Sequence, residues 1–493
     1  MGIVQKQGIS IAFVSFVGVV IGALNTMFVF PNVLGAERHG LVMLILSLAT
    51  VTAQFAHLGV PNIIIRFFPY LKDVKKYIYR MALQIPIMSM VLLVICTFLF
   101  GDYILEGYSN KNELFNHHQM LLLPLVASLV FFEVLLSISR SELKTVFPAV
   151  LREFVLRLFT LLLLAAYFIN WIDFDQFILY WIALYGLNVL LLCIYMLSFN
   201  YFKLQFGFPL FPDNSLAKKM FHYGGITLLT SSAAILVNRI DVLMLGHYLK
   251  IENVAFYTVA FFMASLIQIP ARSILQIVKP LLAKAWSVGD VNEIANLYRK
   301  TSINQMIIGL LLFIGIWMSL DDVLTFVPMK YQGIQMVFFY VGLAKLIDVS
   351  AGVNGAIIAT SEKYRFDLYI NLVLIIVTII SNVIFIPKYG IEGAAMATAR
   401  ALFIHNMVKT LILYSLYQIQ PFQISNFKLL AIGFATFFLV QLISFDFVEM
   451  TFLRILLRSL LITGLFTTAV IGFSISEDVN ALYKKYFRFI IRR

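Results

Sequence analysis

The sequence predicts an all-α polytopic membrane protein of about fourteen transmembrane helices, and three observations carry that reading. Of 493 residues, 61% are hydrophobic and only 13% charged, against roughly 45–50% and 25% in a soluble domain. Mean hydropathy is +0.92. Apolar runs of about 20 residues, the length that crosses a hydrocarbon layer, recur along the whole chain. None shows the period-two alternation of a barrel strand, so the spans are helices. The same composition excludes a disordered chain, a disulfide-stapled secreted domain and a coiled-coil rod.

In order, the spans read as 9–31, 40–62, 78–100, 118–139, 150–170, 176–198, 221–246, 254–277, 301–320, 335–358, 368–386, 391–416, 427–445 and 452–473. The first is too long for a cleavable signal and no small-residue cleavage site follows it, so it reads as a retained span. The runs 150–170 and 427–445 are the most apolar. The run 335–358 is the least so, because it carries Lys345, Asp348 and Asn354. With the N-terminus placed inside, 27 of the 37 Lys and Arg fall on the inner side and 6 on the outer; four (Arg239, Lys345, Arg400, Arg458) lie within spans. That asymmetry predicts both termini in the cytoplasm. The net charge of +12 is thereby explained by inner loops facing an anionic leaflet rather than by nucleic acid. The two cysteines, Cys96 and Cys193, sit inside apolar runs and form no disulfide framework.

Four segments are expected: an N-terminal lobe 1–200 with spans one to six; a Pro-containing cytoplasmic linker 201–220 (Pro209, Pro212, Asp213); a second lobe 221–417 with spans seven to twelve; and 418–493 with spans thirteen and fourteen and a basic cytoplasmic tail. The two lobes resemble each other. Spans one and seven are both polar for membrane helices (Ser15, Asn25, Thr26; Asn238, Arg239, Asp241). Each leads to Leu-Gly, at Leu34-Gly35 and Leu245-Gly246. Spans two and eight each carry a proline, Pro61 and Pro270, with a second following at Pro69 and Pro280. An even number of spans separates the copies, so the repeat is parallel, an architecture of alternating-access transporters.

Ionisable groups inside spans are costly and face a cavity or a partner. Arg239 and Asp241 are two apart and cannot neutralise each other along a helix, so each must find another helix, water or a substrate. Arg239 reads as a cationic anchor for an anionic head group, or as one half of an inter-helix salt bridge. Asp241 reads as a carboxylate for a coupling ion, with the same structural alternative. Lys345 and Asp348, three apart, can pair on one face. Arg400 lies among small residues that let another helix approach and has no acidic residue within a turn. Glu133 is a candidate ion site or a capped structural carboxyl. Arg66 ends span two, where it snorkels to the surface or flanks an inward-opening cavity. Asn25 and Asn238 are candidate cavity-lining polar groups.

Enzyme signatures are missing: there is no Walker loop, no G-x-S-x-G and no H-E-x-x-H. Asp173-Phe-Asp175 forms a D-x-D, but in a turn too short for a catalytic domain, so it reads as an acidic outer loop; Asp321-Asp322 reads the same way. The seven histidines show no metal pattern, with His117-His118 near the outer surface and His57 in span two. No metal or other cofactor is expected.

Three segments resemble the polysaccharide-biosynthesis, or oligosaccharide-flippase, family. The first runs from Phe30-Pro-Asn-Val-Leu-Gly35-Ala-Glu-Arg-His-Gly40 through Leu58-Gly-Val-Pro61 to Ile65-Arg66-Phe-Phe-Pro69. The second is Asn238-Arg-Ile-Asp241-Val-Leu-Met-Leu-Gly246 with Phe256-Tyr257 after it. The third is Ile386-Pro-Lys-Tyr-Gly390-Ile-Glu-Gly393-Ala-Ala-Met-Ala-Thr398-Ala. The chain departs from the family's pattern at Phe256, where a small residue is usual. The resemblance places the chain in the MOP superfamily, with the MATE exporters and lipid II flippases. It implies two six-helix lobes in a MATE-like V shape plus two C-terminal helices. It also implies an activity: movement of undecaprenyl-pyrophosphate-linked sugar units across the bacterial inner membrane for O-antigen, capsule or exopolysaccharide. Such transport would draw on an H+ or Na+ gradient or the membrane potential. The implied partners are the lipid-linked oligosaccharide, membrane lipids and a polysaccharide polymerase, with no nucleic acid. Arg239 matches a position where members often carry a cation; Arg400 and Lys345 are carried over by location alone. A MATE-type cation-coupled exporter and a lipid II flippase stand as alternatives. The exporter wants a net acidic cavity, whereas Arg239, Lys345 and Arg400 balance or exceed Glu133, Asp241 and Asp348. A membrane glycosyltransferase or ligase is disfavoured by short outer loops, and a scaffold by the polar first helices.

Overall fold

A computed structural model describes residues 3–68, 75–199, 214–445 and 447–491. Every regular element among them is helical. The helices, in chain order, are α1 (Ile3–Leu24), α2 (Phe30–Ala56), α3 (Val60–Phe67), α4 (Lys75–Ser109), α5 (Glu113–His118), α6 (Leu122–Ser141), α7 (Val146–Ala149), α8 (Leu156–Phe168), α9 (Phe174–Ser198), α10 (Asn214–Tyr248), α11 (Glu252–Ser265), α12 (Ile269–Ser287), α13 (Val291–Leu324), α14 (Gln335–Ser350), α15 (Asn354–Thr360), α16 (Arg365–Tyr417), α17 (Ile424–Gln441), α18 (Thr451–Gly472) and α19 (Glu477–Ile491).

Among the described residues, nine helical stretches are long and apolar enough to cross a membrane, or eleven if two bent pairs each count as one span. The protein is therefore a multi-pass membrane protein. Two of the nine stretches are too long for one crossing. Val14–Ala56 runs 43 residues and Arg365–Tyr417 runs 53, about 65 and 80 Å at 1.5 Å per residue, against a core of about 30 Å. Each is broken at a glycine: Gly35 (φ 73, ψ 176) and Gly390 (φ 58, ψ −133). Those backbone conformations are nearly closed to any residue with a Cβ. Where a loop was expected around 32–39 and at 387–390, the chain turns at a single glycine between two helices. The expected span 150–170 holds a π-helical segment, Val150–Val155, that runs into α8, with α7 directly before it.

The proline breaks recur. α2 ends at Ala56, Leu58 and Gly59 take positive φ, and α3 restarts with Pro61 in its first turn. α11 ends at Ser265, a 3-10 turn follows, and α12 restarts with Pro270 in its first turn. Proline suits a helix start because its missing N–H is unpaired there anyway. The partner position Pro69 and the linker residues Pro209, Pro212 and Asp213 lie outside the described residues.

The chain packs as two units, 1–255 and 256–493. α10, from the segment expected to open the second lobe, packs on α2 and α3 in the first unit. Gly59 makes that packing close: a Cβ there would lie 2.4 Å from the Gly224 carbonyl oxygen. The core of this unit joins Val60, Ile63 and Ile64 of α3 to Ile78 and Met81 of α4, Leu135 and Ile138 of α6, and Leu192 and Met196 of α9.

In the second unit α13 is the central helix. Its Ile303, Met306, Leu310 and Ile314 pack on Leu346 and Val349 of α14, Leu429 and Ile432 of α17, and Ile462, Phe466 and Val470 of α18. α17 and α18 are thus seated on this unit. Asp322 ends α13 buried, accepting from Arg454 (3.1 Å) and Arg458 (2.5 Å) of α18. It is an inter-helix clasp, not part of an acidic outer loop, and it accounts for Arg458 inside a span.

Candidate functional site: a cationic cluster in the first unit

The polar interior of the first unit is built where α1 meets the Val150–Leu156 region. Gly18 and Gly22 of α1 permit the approach. A Cβ on Gly18 would lie 2.5 Å from the Glu153 carbonyl oxygen, and one on Gly22 would lie 2.7 Å from Arg157 Nη1. Arg157 uses the room to donate to the Gly18 carbonyl and to pair with Glu153 one turn earlier (2.8 Å). The Asn25 amide donates to the Arg157 carbonyl (3.0 Å). Asn25 opens a π-helical turn, Asn25–Val29, of the kind often found at functional sites. Its Oδ1 is buried with no hydrogen-bond partner among the described residues.

Around this contact, Arg152 donates to Glu133 of α6 (2.7 Å). Tyr185 of α9 lies within electrostatic reach of three guanidinium groups: Arg239, Arg152 and Arg157. Arg152 and Arg157 each have a carboxylate. Among the described residues no carboxylate lies within salt-bridge distance of Arg239. Three arginines and two glutamates leave the cluster with an excess positive charge. Inside helices that cross lipid, such a charge is retained only with water, a partner or an anionic ligand.

A second set of polar contacts joins α10 to the end of α2. Ser231 of α10 accepts from Gln54 (2.7 Å), and Gln54 bonds to His57 (3.1 Å). The Gly59 N–H donates to His57 Nδ1, so Nε2 carries the proton and donates to Gln54 Oε1. His57 in turn feels the charge of Glu133.

The candidate residues therefore divide. Asn25 bonds to the Arg157 carbonyl and Glu133 holds Arg152, while Arg239 shares with these two arginines the electrostatic reach of Tyr185. Asp241 is buried and Asn238 exposed on α10. Arg66 is exposed at the end of α3, stacked on Tyr223 (4.3 Å from guanidinium to ring centroid). In the second unit, Lys345 is buried with Nζ 4.8 Å from the Phe261 ring centroid. Asp348 accepts from Gln268 (2.6 Å) and Asn406 (3.0 Å), and Asn406 also accepts from Asn354 (2.9 Å). Arg400 is exposed, 5.9 Å from the Phe385 ring. Lys409, counted among the inner-loop cations, is buried in α16 and paired with Asp367 (3.0 Å).

Sequence reasoning missed Arg152, Arg157, Glu153, Tyr185, Gln54 and Ser231. One signal was available: Glu153 and Arg157 stand four apart, the spacing of a helical ion pair, at the start of a strongly apolar run.

Residues 5–286, more than half the chain, match the family described as polysaccharide biosynthesis protein. The chain belongs to that family. It is 20% identical over 216 residues to a probable low-salt glycan biosynthesis flippase, Agl15, of Haloferax volcanii; the match covers 44% of this chain and 46% of that relative's length. Its fold is shared with the lipid II flippase MurJ in an inward closed conformation (TM-score 0.72, 15% identity, 94% of this chain and 98% of that one). An inward-facing multidrug-resistance MATE transporter of the MOP superfamily shares it too (TM-score 0.65, 14% identity, 81% and 94%). So does the Vibrio cholerae MATE transporter VcmN in its bent form (TM-score 0.53, 13% identity, 85% and 98%). The family is thus that of the polysaccharide biosynthesis proteins, and the fold is one that a lipid II flippase and MATE transporters also adopt.

Proposed function

We propose that this protein is a flippase that carries a polyprenyl-pyrophosphate-linked saccharide across the cell membrane by alternating access. The reading rests on the family and on one observation above all. Three arginines of the first unit stand within electrostatic reach of Tyr185, and two carboxylates pair with only two of them. A pyrophosphate carries about two negative charges and cannot cross bare hydrocarbon. Guanidinium groups replace its hydration in paired hydrogen bonds. Arg239 is the member that a substrate would neutralise. Arg152 and Arg157, tied to Glu133 and Glu153, can exchange a carboxylate for the substrate and take it back on release. That exchange keeps binding weak enough for turnover.

The proposal keeps the fourteen spans and the V-shaped pair of lobes that the family resemblance implies. That number would follow from counting each bent pair as one span, dividing the two longest stretches at Gly35 and Gly390, and joining α7, the π segment and α8 as one crossing. Both termini are placed in the cytoplasm on the charge asymmetry. Coupling to H+ or Na+ is assigned to Asp241, Glu133 or Asp348. Arg66, Lys345 and Arg400 remain candidate substrate cations, and Asn238 a cavity-lining amide. A polysaccharide polymerase is the expected downstream partner, and the bacterial inner membrane the expected location.

The strong likeness to the MurJ fold favours a second reading at the level of cargo, a lipid II flippase. The fold is equally at home in the MATE exporters, a third reading that the excess cationic charge of the cluster disfavours. One experiment tests all three. The protein is reconstituted in liposomes containing fluorescent lipid II, a fluorescent polyprenyl-pyrophosphate oligosaccharide, or an enclosed cationic dye. Protein-dependent exposure of the oligosaccharide head group supports the proposal. Movement of lipid II alone transfers it to the second reading. Dye efflux without movement of either lipid contradicts it.

A further inference from the structure

The D-x-D turn and the His-His pair, unremarkable apart in the sequence, meet at one end of the first unit. His117 and His118 close α5, and Asp175 lies in the first turn of α9. One donor atom from each, two imidazole nitrogens and a carboxylate oxygen, lie within 4.8 Å of one another.

The state of His118 is set by its neighbours. Its ring is buried, edge-on to Phe174 with centroids 5.6 Å apart. Nδ1 lies 2.9 Å from the Leu114 carbonyl oxygen. A carbonyl only accepts, so Nδ1 carries a proton and donates. The Nε2 lone pair then points to the rim, 3.0 Å from Asp175 Oδ1. Two lone pairs do not face each other at that distance unless a cation lies between or beside them. The cation is a second proton or a metal ion. A histidine whose one nitrogen donates to a backbone carbonyl while the other faces outward has the orientation of a metal ligand. His117, exposed beside it with ring centroids 4.9 Å apart, supplies a second nitrogen.

We propose that His117, His118 and Asp175 bind a divalent transition metal of the zinc type, with water completing a four-coordinate shell. Two neutral imidazoles and one carboxylate are a donor set that zinc and its neighbours prefer, and that calcium and magnesium do not. Bonds of about 2.0–2.2 Å require the three donors to draw in by roughly 1 Å. Side-chain rotation of the exposed His117 and Asp175 provides that movement. Asp173 is not a ligand in this arrangement, since its carboxylate caps α9 through the Gln176 N–H (2.7 Å). The neighbouring cation Arg38 is held on the Phe174 and Tyr167 rings, at 5.1 and 5.8 Å. The bound ion would clip the start of α9 to the connection between α4 and α6.

The test uses untagged full-length protein in detergent, stripped with chelator and titrated with Co2+ and then Zn2+. The expected result is one saturable site per chain, with the visible absorption of four-coordinate Co2+ bleached by Zn2+ and a Zn2+-dependent rise in the thermal midpoint. His117→Ala and Asp175→Asn, both at exposed positions, should each lose about tenfold or more in affinity while keeping the wild-type midpoint in chelator. An absence of saturable binding in the wild type would overturn the site and leave a proton-mediated His118–Asp175 pair. Binding equal to wild type in both variants would overturn it as well.

Discussion

At the residue scale, charge pairing divides the embedded cations into those tied to a carboxylate and those that are proposed to await a substrate. Arg454 and Arg458 belong to the first group. They share Asp322, whose side chain is only 8% exposed, so Asp322→Ala strands two guanidinium groups. A loss of about 3–5 kcal/mol is expected, read as a lower thermal midpoint in detergent; Arg454→Ala should cost far less, because Arg458 keeps the contact. Arg239 belongs to the second group. Arg239→Ala should leave the midpoint near wild type and cut transport of a pyrophosphate-linked cargo about tenfold or more, the effect of losing one charge-assisted contact worth roughly 1.5–3 kcal/mol. A fallen midpoint with unchanged transport would return Arg239 to a structural role. Arg239 was legible in the sequence because it interrupts an apolar run. Arg152 and Arg157 were not, because they follow Arg140 and Lys144 and so looked like the tail of a basic inner loop. Only the approach of α1, through Gly18 and Gly22, encloses Arg157, while Arg152 stays exposed beside Glu133. Tyr185 gave no signal at all, being one aromatic among many in an apolar helix.

At the element scale, hydropathy showed that the chain crosses a membrane many times and misjudged two of the joints. A run of apolar residues reports that a helix lies in lipid. It does not report whether the next helix follows through a loop or through one bent residue. Gly35 and Gly390 make the joints, and both hold conformations that a Cβ disfavours. Gly390→Ala is expected to cost about 1–3 kcal/mol; Gly464→Ala, with open space around the new Cβ and no positive φ, serves as the control and should cost nothing measurable. Comparison of thermal midpoints decides it. The α1 contact gives a second test at this scale. Gly22→Val places branched carbons where Arg157 Nη1 now lies. It should push α1 off the cluster and depress transport even where the protein still folds. Gly225→Ala, which meets no neighbour, should do neither. The paired proline breaks at Pro61 and Pro270 were legible as prolines, but not as restarts of helices after a turn.

At the scale of the whole molecule, the two units use their polar interiors differently. In the second unit the embedded polar groups are largely satisfied among themselves: Asp348 by Gln268 and Asn406, Lys409 by Asp367, Asp322 by two arginines. In the first, the cluster about Tyr185 carries more positive charge than its own carboxylates balance. We propose that this excess receives the anionic head group. The most direct test compares, in one liposome preparation, a saccharide on polyprenyl pyrophosphate with the same saccharide on an uncharged polyprenyl carrier, for wild type and Arg239→Gln. The account predicts that wild type moves the pyrophosphate-linked cargo in strong preference, and that Arg239→Gln loses most of that preference while its slow transport of the uncharged cargo is unchanged. Equal loss on both cargoes, or an intact preference in the variant, would contradict it.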